Sequence, residues 1–541
     1  GDPNAAIDSY KEALKIEPDY IEAYLNIGNV LKEKEDLDGA IDSYNKALKI
    51  NPDYAEASYN LGLALQNKGE LDAAIEVYKN AIKIKPYYAD AYNNLGIALN
   101  LQGKLDAAIE VYKDIIKIMP DYVDSYNNLG NALKNKGDLD AAIDSYKKAI
   151  KLKPYYAEAH YNLGIVLNKK GELNAAIKCY TKAIKAKPDY VEAYNNLGVA
   201  LEDNGEANRA IDSFNQALKV QPDYVEANFN RSRAYLSKGD FTNGWKGYEW
   251  RWKSPIFHSV PLITSKPEWK PNTAGRVLLW GEQGLGDQIM FASLIPDLAS
   301  LCPKLIVQVD SRLIPLFKRS FSKTIIYYPT GQKVSEETYD SQISMGSLPK
   351  YLRTDLNSFK KSSYGYLSAD KEWANRLRTS LLSDGTKFLY GLAWRGGIKD
   401  SNMQKARHVQ LSQLASFVNS KNGKLVSLQY GDTGKEIAIL KKEFNIEVVT
   451  VPEIDNFKDI DGLSALTEAC DVAIIMESSA ANLAGAQCKK TAVLVPFVND
   501  WRWRLSQHTC YWYSSVRLFK QSNCSEWEDT LSGLSSFVLE R

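Results

Sequence analysis

Residues 52–85 read PDYAEASYNLGLALQNKGELDAAIEVYKNAIKIK, and the segments on either side repeat this pattern in altered letters. Proline recurs at Pro18, Pro52, Pro86, Pro120, Pro154, Pro188 and Pro222, every step being 34 residues. Each proline opens a Pro-x-Tyr triplet, as in Pro52-Asp53-Tyr54 and Pro86-Tyr87-Tyr88. Between prolines run two amphipathic helical patterns, joined by a turn such as Asn67-Lys68-Gly69-Glu70-Leu71. Proline cannot continue a helix, so it ends one helix and its neighbourhood starts the next. Small residues at fixed offsets, Gly62 with Ala74 and Gly96 with Ala108, let paired helices approach closely. A helix-turn-helix unit of this period predicts an α-solenoid.

The 34-residue unit is the tetratricopeptide (TPR) pattern. Six full repeats run over 21–224, and a degenerate capping repeat covers 225–252. Residues 1–20 resemble the second half of a further repeat, Asp2-Pro3-Asn4-Ala5-Ala6-Ile7 aligning with Leu71-Asp72-Ala73-Ala74-Ile75. A solenoid normally opens on a polar cap, so the expectation is a fragment with more repeats upstream. One more series keeps the 34-residue step: Asn26, Asn60, Asn94, Asn128, Asn162, Asn196 and Asn230. Equal register puts these amides on one line. A side-chain amide offers a donor and an acceptor together, matching one peptide unit. The line can therefore hold an extended chain of any sequence. Asparagine can equally be a consensus residue that bonds the neighbouring helix.

The chain has 541 residues, Lys+Arg 67 against Asp+Glu 66, 45% apolar and 25% charged residues. Length gives several domains. The near-neutral balance argues against nucleic acid as partner, and the composition is that of a folded chain. No apolar run is long enough for a membrane span, and Gly1-Asp2-Pro3-Asn4 is no signal peptide. The six cysteines and four histidines are scattered without metal-binding spacing. Reduced thiols, a cytoplasmic location and no bound metal are the expectations.

After Lys238-Gly239-Asp240-Phe241 the repeat fails, and Trp245, Tyr248, Trp250 and Trp252 follow. Such a cluster reads as an apolar cap joining the array to the next domain. Residues 253–274, with Pro255, Pro261, Pro267 and Pro271, read as a connecting loop. From residue 275 the pattern is α/β. Strand-like runs occur at Arg276–Trp280, Leu305–Val309 and Thr324–Tyr328, then at Phe388–Trp394, Lys424–Leu428, Glu447–Val451, Asp471–Met476 and Ala492–Val495. Short apolar strands alternating with helices predict parallel sheets. The expected fold is a TPR α-solenoid followed by two Rossmann-like domains: 275–369, a linker helix at 370–385, and 386–541. Ligands would bind near the strand carboxyl ends.

Three segments can carry chemistry. Gly281-Glu282-Gln283-Gly284-Leu285-Gly286-Asp287 follows a strand and opens a helix, with Gly284 and Gly286 allowing close approach to a ligand. Asp287 is either a general base or a helix cap. Trp394-Arg395-Gly396-Gly397, followed by Lys405, Arg407 and His408, suits a diphosphate, or is a solvated basic loop. Glu477, Ser478, Ser479 and Asn482 sit where a strand ends and a small-residue helix begins, an anion site or a tight packing contact. Gln429-Tyr430-Gly431 can contact a base or ribose. Asp459-x-Asp461 has the form of a metal-binding pair but sits at a helix start, where Asp461 reads as an N-cap.

Taken in order, Gly244-Trp245-x-x-Tyr248-Glu249-Trp250-Arg251, Pro267-Glu268-Trp269, Glu282 to Asp287, Ser347-Leu348-Pro349, Gly391-Leu392-Ala393-Trp394, Ser427-Leu428-Gln429, Leu483-Ala484-Gly485-Ala486 and Pro496-Phe497-x-x-Asp500-Trp501-Arg502-Trp503 resemble bacterial TPR proteins with a heptosyltransferase-like glycosyltransferase domain of GT-B fold. The asparagine line resembles that of the O-linked N-acetylglucosamine transferases. The resemblance implies inverting, metal-independent transfer from a nucleotide sugar, with no resident cofactor. It places Asp287 as general base, Lys405 and Arg407 near the donor phosphate, and Ser478 and Ser479 at the phosphate-side helix start. This chain departs from the pattern at Glu477-Ser478, where the family has Asp-Thr, and at Asn482, where it has His. The expectation is a glycosyltransferase acting on a hydroxyl, Ser or Thr of a protein held by the repeats. The alternative is a non-catalytic TPR interaction scaffold with a decayed transferase domain.

Overall fold

The structure is a computed structural model. It describes residues 2–302, 304–360, 364–396, 408–419, 423–522 and 526–539. The chain divides into two compact units, Gly1–Ala200 and Leu201–Arg541.

The first unit opens on helix α1 (Pro3–Ile16) and continues as helix pairs. These are α2 (Ile21–Glu33) with α3 (Leu37–Ile50), α4 (Ala55–Lys68) with α5 (Leu71–Ile84), and α6 (Ala89–Leu101) with α7 (Leu105–Ile118). Then come α8 (Val123–Lys136) with α9 (Leu139–Leu152), α10 (Ala157–Lys169) with α11 (Leu173–Ala186), and α12 (Val191–Asp203) at the unit boundary. The recurring prolines stand in the turns between pairs. Inside a pair, the turn residue Gly69 or Gly137 takes positive φ (86° and 94°) and ends the helix, a conformation that favours glycine.

The packing rule of each pair is a glycine under a tyrosine ring. A Cβ on Gly28 or Gly130 would stand 2.5 Å from Cε1 of Tyr44 or Tyr146. Those rings are fully buried. Glycine is thus required by the depth to which the ring enters.

The second unit begins with α13 (Ala207–Val220), α14 (Val225–Lys238) and α15 (Phe241–Tyr248), followed by the turn Glu249–Lys253. Trp245, Tyr248, Phe291, Trp501 and Trp512 share one buried core. The aromatic cluster read from the sequence therefore welds the last repeat to the α/β region. The end of the repeats thus belongs to the same compact unit as the α/β region, Leu201–Arg541.

The first sheet holds β1 (Arg276–Trp280), β2 (Lys304–Val309), β3 (Ile326–Pro329) and β4 (Ser341–Ser344), in the order β3-β2-β1-β4. The second holds β5 (Phe388–Ala393), β6 (Gly423–Ser427), β7 (Val448–Val449), β8 (Val472–Met476), β9 (Thr491–Val495) and β10 (Val516–Lys520), in the order β10-β9-β8-β5-β6-β7. Every pairing is parallel. Both are doubly wound: the first strand of each sheet lies centrally and chain order reverses beside it. The sequence reading missed β4 and β10, and β7 is shorter than the expected Glu447–Val451.

Helix α16 (Leu285–Phe291) follows β1. The expected linker is the helix Lys371–Leu381, capped by Asp370 through Trp373 N at 2.9 Å. It packs on the Ile460–Ala469 helix, and Arg378 pairs with Asp471 at 2.9 Å. Among the described residues, no helix is long and apolar enough to cross a membrane.

Candidate functional site

In a doubly wound sheet, ligands sit beyond the strand carboxyl ends where chain order reverses. Here that point lies between β5 and β8. A cleft of about 560 Å³ opens there, lined from the second sheet by Arg395 and Gly396 after β5, Gln429 to Gly431 after β6, and Ser478 to Ala480 after β8. Leu285 and Ile289 of α16, with Arg312 after β2, line it from the first sheet's side.

Three polar atoms on this lining are buried with no hydrogen-bond partner among the described residues: Arg395 Nε, Asn456 Oδ1 and Ser478 Oγ. Buried polar groups are nearly always satisfied, so three orphans on one cavity mark a place for a polar ligand. Beside them stands the amino end of the Ser479–Ala486 helix, with its free amides. Apolar and aromatic surface completes the lining: Phe457 lies 6.0 Å from Tyr430 by ring centroids, with the Arg312 guanidinium 5.0 Å over it. His408 is held below its ordinary range, first by burial and further by the charge of Arg395, against the pull of Glu436. It is therefore neutral at pH 7.

Asp287 is the third residue of α16. It is not the N-cap, a place taken by Gly284, whose N–H it accepts at 3.2 Å. Its other carboxylate oxygen is ion-paired with Arg502. Arg502 also holds Asp500 at 2.7 Å. Burial pushes the Asp287 carboxyl upward, and the nearby Asp500 adds to this, while Arg502 opposes it. Burial also works against ionised Asp500, yet Arg502 and Arg233 hold it down at about 2. The Gln283 side chain, with φ at 61°, bridges this network to the last repeat. Its amide nitrogen faces Asp287 at 3.1 and 3.2 Å, and its carbonyl accepts from the Tyr248 hydroxyl at 2.7 Å. Burial raises the Tyr248 phenol to about 12, so it stays a donor.

The other expected site residues fall into distinct places. Gly396, Gln429, Ser478 and Ser479 line the cleft. Gln429 also closes the loop, its Oε1 accepting from the N–H groups of Trp394 (2.9 Å) and Arg395 (2.8 Å). Trp394 is fully buried in the second sheet's core, its indole donating to Glu436 at 3.1 Å, and it does not line the cleft. Glu477 and Asn482 are buried behind the lining, and Asn482 accepts from the Tyr513 hydroxyl at 2.9 Å. Gly286 is a packing glycine: a Cβ there would meet Asn482 Nδ2 at 3.0 Å and Ser479 Oγ at 3.2 Å. Gly284 belongs to a second cavity. Gly397, Lys405 and Arg407 lie outside the described residues. Asp461 is not an N-cap: Asp459 caps the Ile460–Ala469 helix through Gly462 N at 2.8 Å, and Asp461 pairs with Arg319.

Sequence reasoning missed Arg312, Asn456 and Phe457. Only their place after β2 and β7 signals them. Asn456 braces the β6 loop through the carbonyls of Ser427 (3.2 Å) and Gln429 (3.1 Å).

Within the first unit, the asparagine line bonds from repeat to repeat. Asn94 donates to Tyr59 Oη at 3.1 Å, Asn128 to Asn93 Oδ1 at 2.8 Å, Asn162 to Asn127 Oδ1 at 3.0 Å, and Asn196 to Tyr161 Oη at 3.0 Å. At these four positions the amide nitrogen thus takes part in stacking one repeat on the next. Asn60 is buried, Asn26 is half-buried, and Asn230 lies in the second unit.

Family profiles described as TPR repeat match residues 1–34, 28–69, 67–102, 98–137, 130–171 and 166–205, and one described as tetratricopeptide repeat matches 191–224. The chain thus carries an N-terminal TPR array. It is 29% identical over 326 residues to Protein FlbA of Caulobacter vibrioides, covering 57% of this chain and 54% of that protein. The chain spans about half the length of this curated relative. Among solved structures, it is similar to MamA (32% identity, 31% of this chain and 92% of that one, TM-score 0.28). It is also similar to the APC/C tetramer Cut9–Hcn1 (20% identity, 43% and 46%, TM-score 0.37). A third likeness is YrrB, described as a TPR protein with an unusual peptide-binding site (22% identity, 35% and 97%, TM-score 0.29).

Proposed function

We propose that the α/β region is a glycosyltransferase of GT-B architecture, moving a sugar from a nucleotide-sugar donor to a hydroxyl. The observation that carries this reading is the convergence of Arg395 Nε, Asn456 Oδ1 and Ser478 Oγ, all unpartnered among the described residues, on one cleft at the strand carboxyl ends. The free amides of the Ser479–Ala486 helix and the Arg395 guanidinium suit a diphosphate. Tyr430 and Phe457 suit a base.

Asp287 takes the proton from the acceptor hydroxyl. The freed oxygen attacks the anomeric carbon, and the nucleotide leaves with the bonding electrons on its phosphate. A positioned base contributes about 10²–10⁴-fold to such a step. The acceptor is a Ser or Thr of a polypeptide, in keeping with the repeats' usual traffic with protein partners. The reading assigns no metal and no resident cofactor.

A second reading has its own observation. Both carboxylate oxygens of Asp287 are already engaged, by Arg502 and by Gly284 N–H, which suits a non-catalytic TPR scaffold.

Thermal denaturation with UDP, GDP, CDP, CMP, ADP and dTDP, each with and without magnesium, separates the two. A ligand at 100 times its Kd stabilises its domain by about 2.7 kcal/mol. A selective, magnesium-independent shift of the second unit's transition supports the transferase and identifies the donor class. Flat curves for every nucleotide, from folded protein, select the scaffold.

A further inference from the structure

A carboxyl group serves as a base only after it has lost its own proton. Around Asp287, burial favours keeping that proton, and the nearby carboxylate of Asp500 adds to this. One guanidinium opposes both. Arg502 stands between the two carboxylates, with one terminal nitrogen on Asp287 Oδ1 and the other on Asp500 Oδ1 at 2.7 Å.

The guanidinium is fixed by its own turn. The Asp500 oxygen that binds it also accepts the Arg502 backbone N–H at 3.1 Å and so opens the turn Trp501–Trp503. The flat face of the guanidinium lies 4.7 Å over the buried Trp501 ring. Backbone, charge and face are all tied down, so Arg502 meets Asp287 without reorganising.

The neighbouring charges are committed elsewhere. Arg233 of α14 faces Asp500 and Glu202. Arg504 holds Glu202 at 3.0 Å and Asp203 at 2.8 Å. Glu282 is paired with Arg251. The Ser479–Ala486 helix brings only the uncharged Ser479 and Asn482 beside Gly286. Tyr248 reaches the network through Gln283. Among the described residues, Arg502 is thus the cation that reaches Asp287. A carboxylate has about four lone-pair sites. Arg502, the Gly284 N–H and the Gln283 amide supply three donors, which leaves a place for a substrate hydroxyl.

We propose that Arg502 is the positioning residue of the transfer step: anchored on Asp500, it keeps the Asp287 carboxylate ionised and turned so that its remaining lone pair meets the acceptor hydroxyl. Arg502 acts through Asp287 and not on the substrate. The positioning role rests on the transferase reading, but the charge relation among the three residues does not.

The test uses the full chain. Aspartate labelled with 13C at the carboxyl is incorporated, and the Asp287 signal is identified by its loss in Asp287→Asn. Its titration is followed by NMR in wild type, Arg502→Gln, Arg502→Lys and Asp500→Asn. Loss of an opposite charge at contact distance moves a carboxyl by about 1–3 pH units. In Arg502→Gln, Asp287 should therefore titrate higher by that amount, and in Arg502→Lys by less. In Asp500→Asn it should titrate lower than in wild type, because a like charge is gone while Arg502 remains. Arg502→Gln and Asp500→Asn break the same bond, so opposite signs separate this role from a loosened turn. Shifts of the same sign, or none, overturn the inference. Hydrolysis is then followed against pH, with the nucleotide sugar whose nucleotide gives the largest thermal shift and with water in place of the acceptor hydroxyl. The acidic limb of kcat/KM should move up in Arg502→Gln and down in Asp500→Asn. A limb that does not follow the order of the titrations overturns the positioning role. Wild type without any hydrolysis, the order of the titrations being intact, overturns the transferase reading and the positioning role with it.

Discussion

Arg251 and Glu282 meet fork to fork, Nε to Oε1 and the second guanidinium nitrogen to Oε2, each at 3.0 Å, with neither side chain exposed to solvent. The guanidinium also reaches Ser344 at 3.0 Å and Ser347 at 2.7 Å. It thereby links the turn after the last repeat, the loop after β1 and the end of β4. A buried pair adds little net stability over an apolar one, but halving it strands a charge. Arg251→Met alone should destabilise the second unit by about 3–5 kcal/mol. The double variant Arg251→Met with Glu282→Leu should lose clearly less. Urea denaturation of the three proteins checks this; equal losses in the single and double variants would deny the coupling.

Gly130→Ala sets two effects against each other. Alanine favours a helix interior by about 1 kcal/mol over glycine. The new Cβ, however, would stand 2.5 Å from the buried Tyr146 ring, whose hydroxyl is fixed on Asn131 at 2.8 Å. Overpacking typically costs about 1–3 kcal/mol, so the steric effect wins. The first unit should melt lower while the second unit's transition stays in place. A neutral or stabilising result in differential scanning calorimetry would mean the ring can shift.

If the transferase reading holds, Asp287→Asn should lower transfer by about 10²–10⁴-fold. The thermal shift by the cognate nucleotide should survive, because Asp287 is not part of the cleft lining. Intact-protein mass spectrometry of the acceptor reads the first effect and calorimetry the second. Unchanged turnover in the variant would remove Asp287 from the role of base.

Much of this was legible in the sequence, and the remainder was hidden for identifiable reasons. The 34-residue proline and glycine steps are local signals, so the repeats could be read directly. Strands such as β1 and β8 are apolar on both faces and stood out as continuous runs. Strand β4, Ser-Gln-Ile-Ser, is buried but polar in composition, and so gave no such signal. The Asp287 segment was recognised, but not its partner Arg502, which lies 215 residues away. Arg251 and Glu282 were both noted, yet 31 residues separate them and no periodicity joins them. The asparagine line was visible as a line. Whether its amides face a ligand or the next repeat depends on helix stacking, which residue spacing does not encode.

Lys520 ends β10 beneath Arg504, and its ammonium is lowered to about 8, first by burial and then by Arg504. In the unfolded chain its value is the ordinary 10.5. The sign follows from the lowered value. Above 10.5 both states hold neutral lysine and the strand bears no charge. As pH falls toward 8 the unfolded chain takes up the proton first, so the fold loses stability. Below 8 the loss is complete. At pH 7 Lys520→Met should therefore raise the second unit's stability by roughly 1–2 kcal/mol, allowing for partial exposure. The gain should shrink between pH 8 and 10.5 and vanish above it. Melting both proteins across that range decides the matter, since a gain that stays constant with pH would come from packing and not from the buried charge.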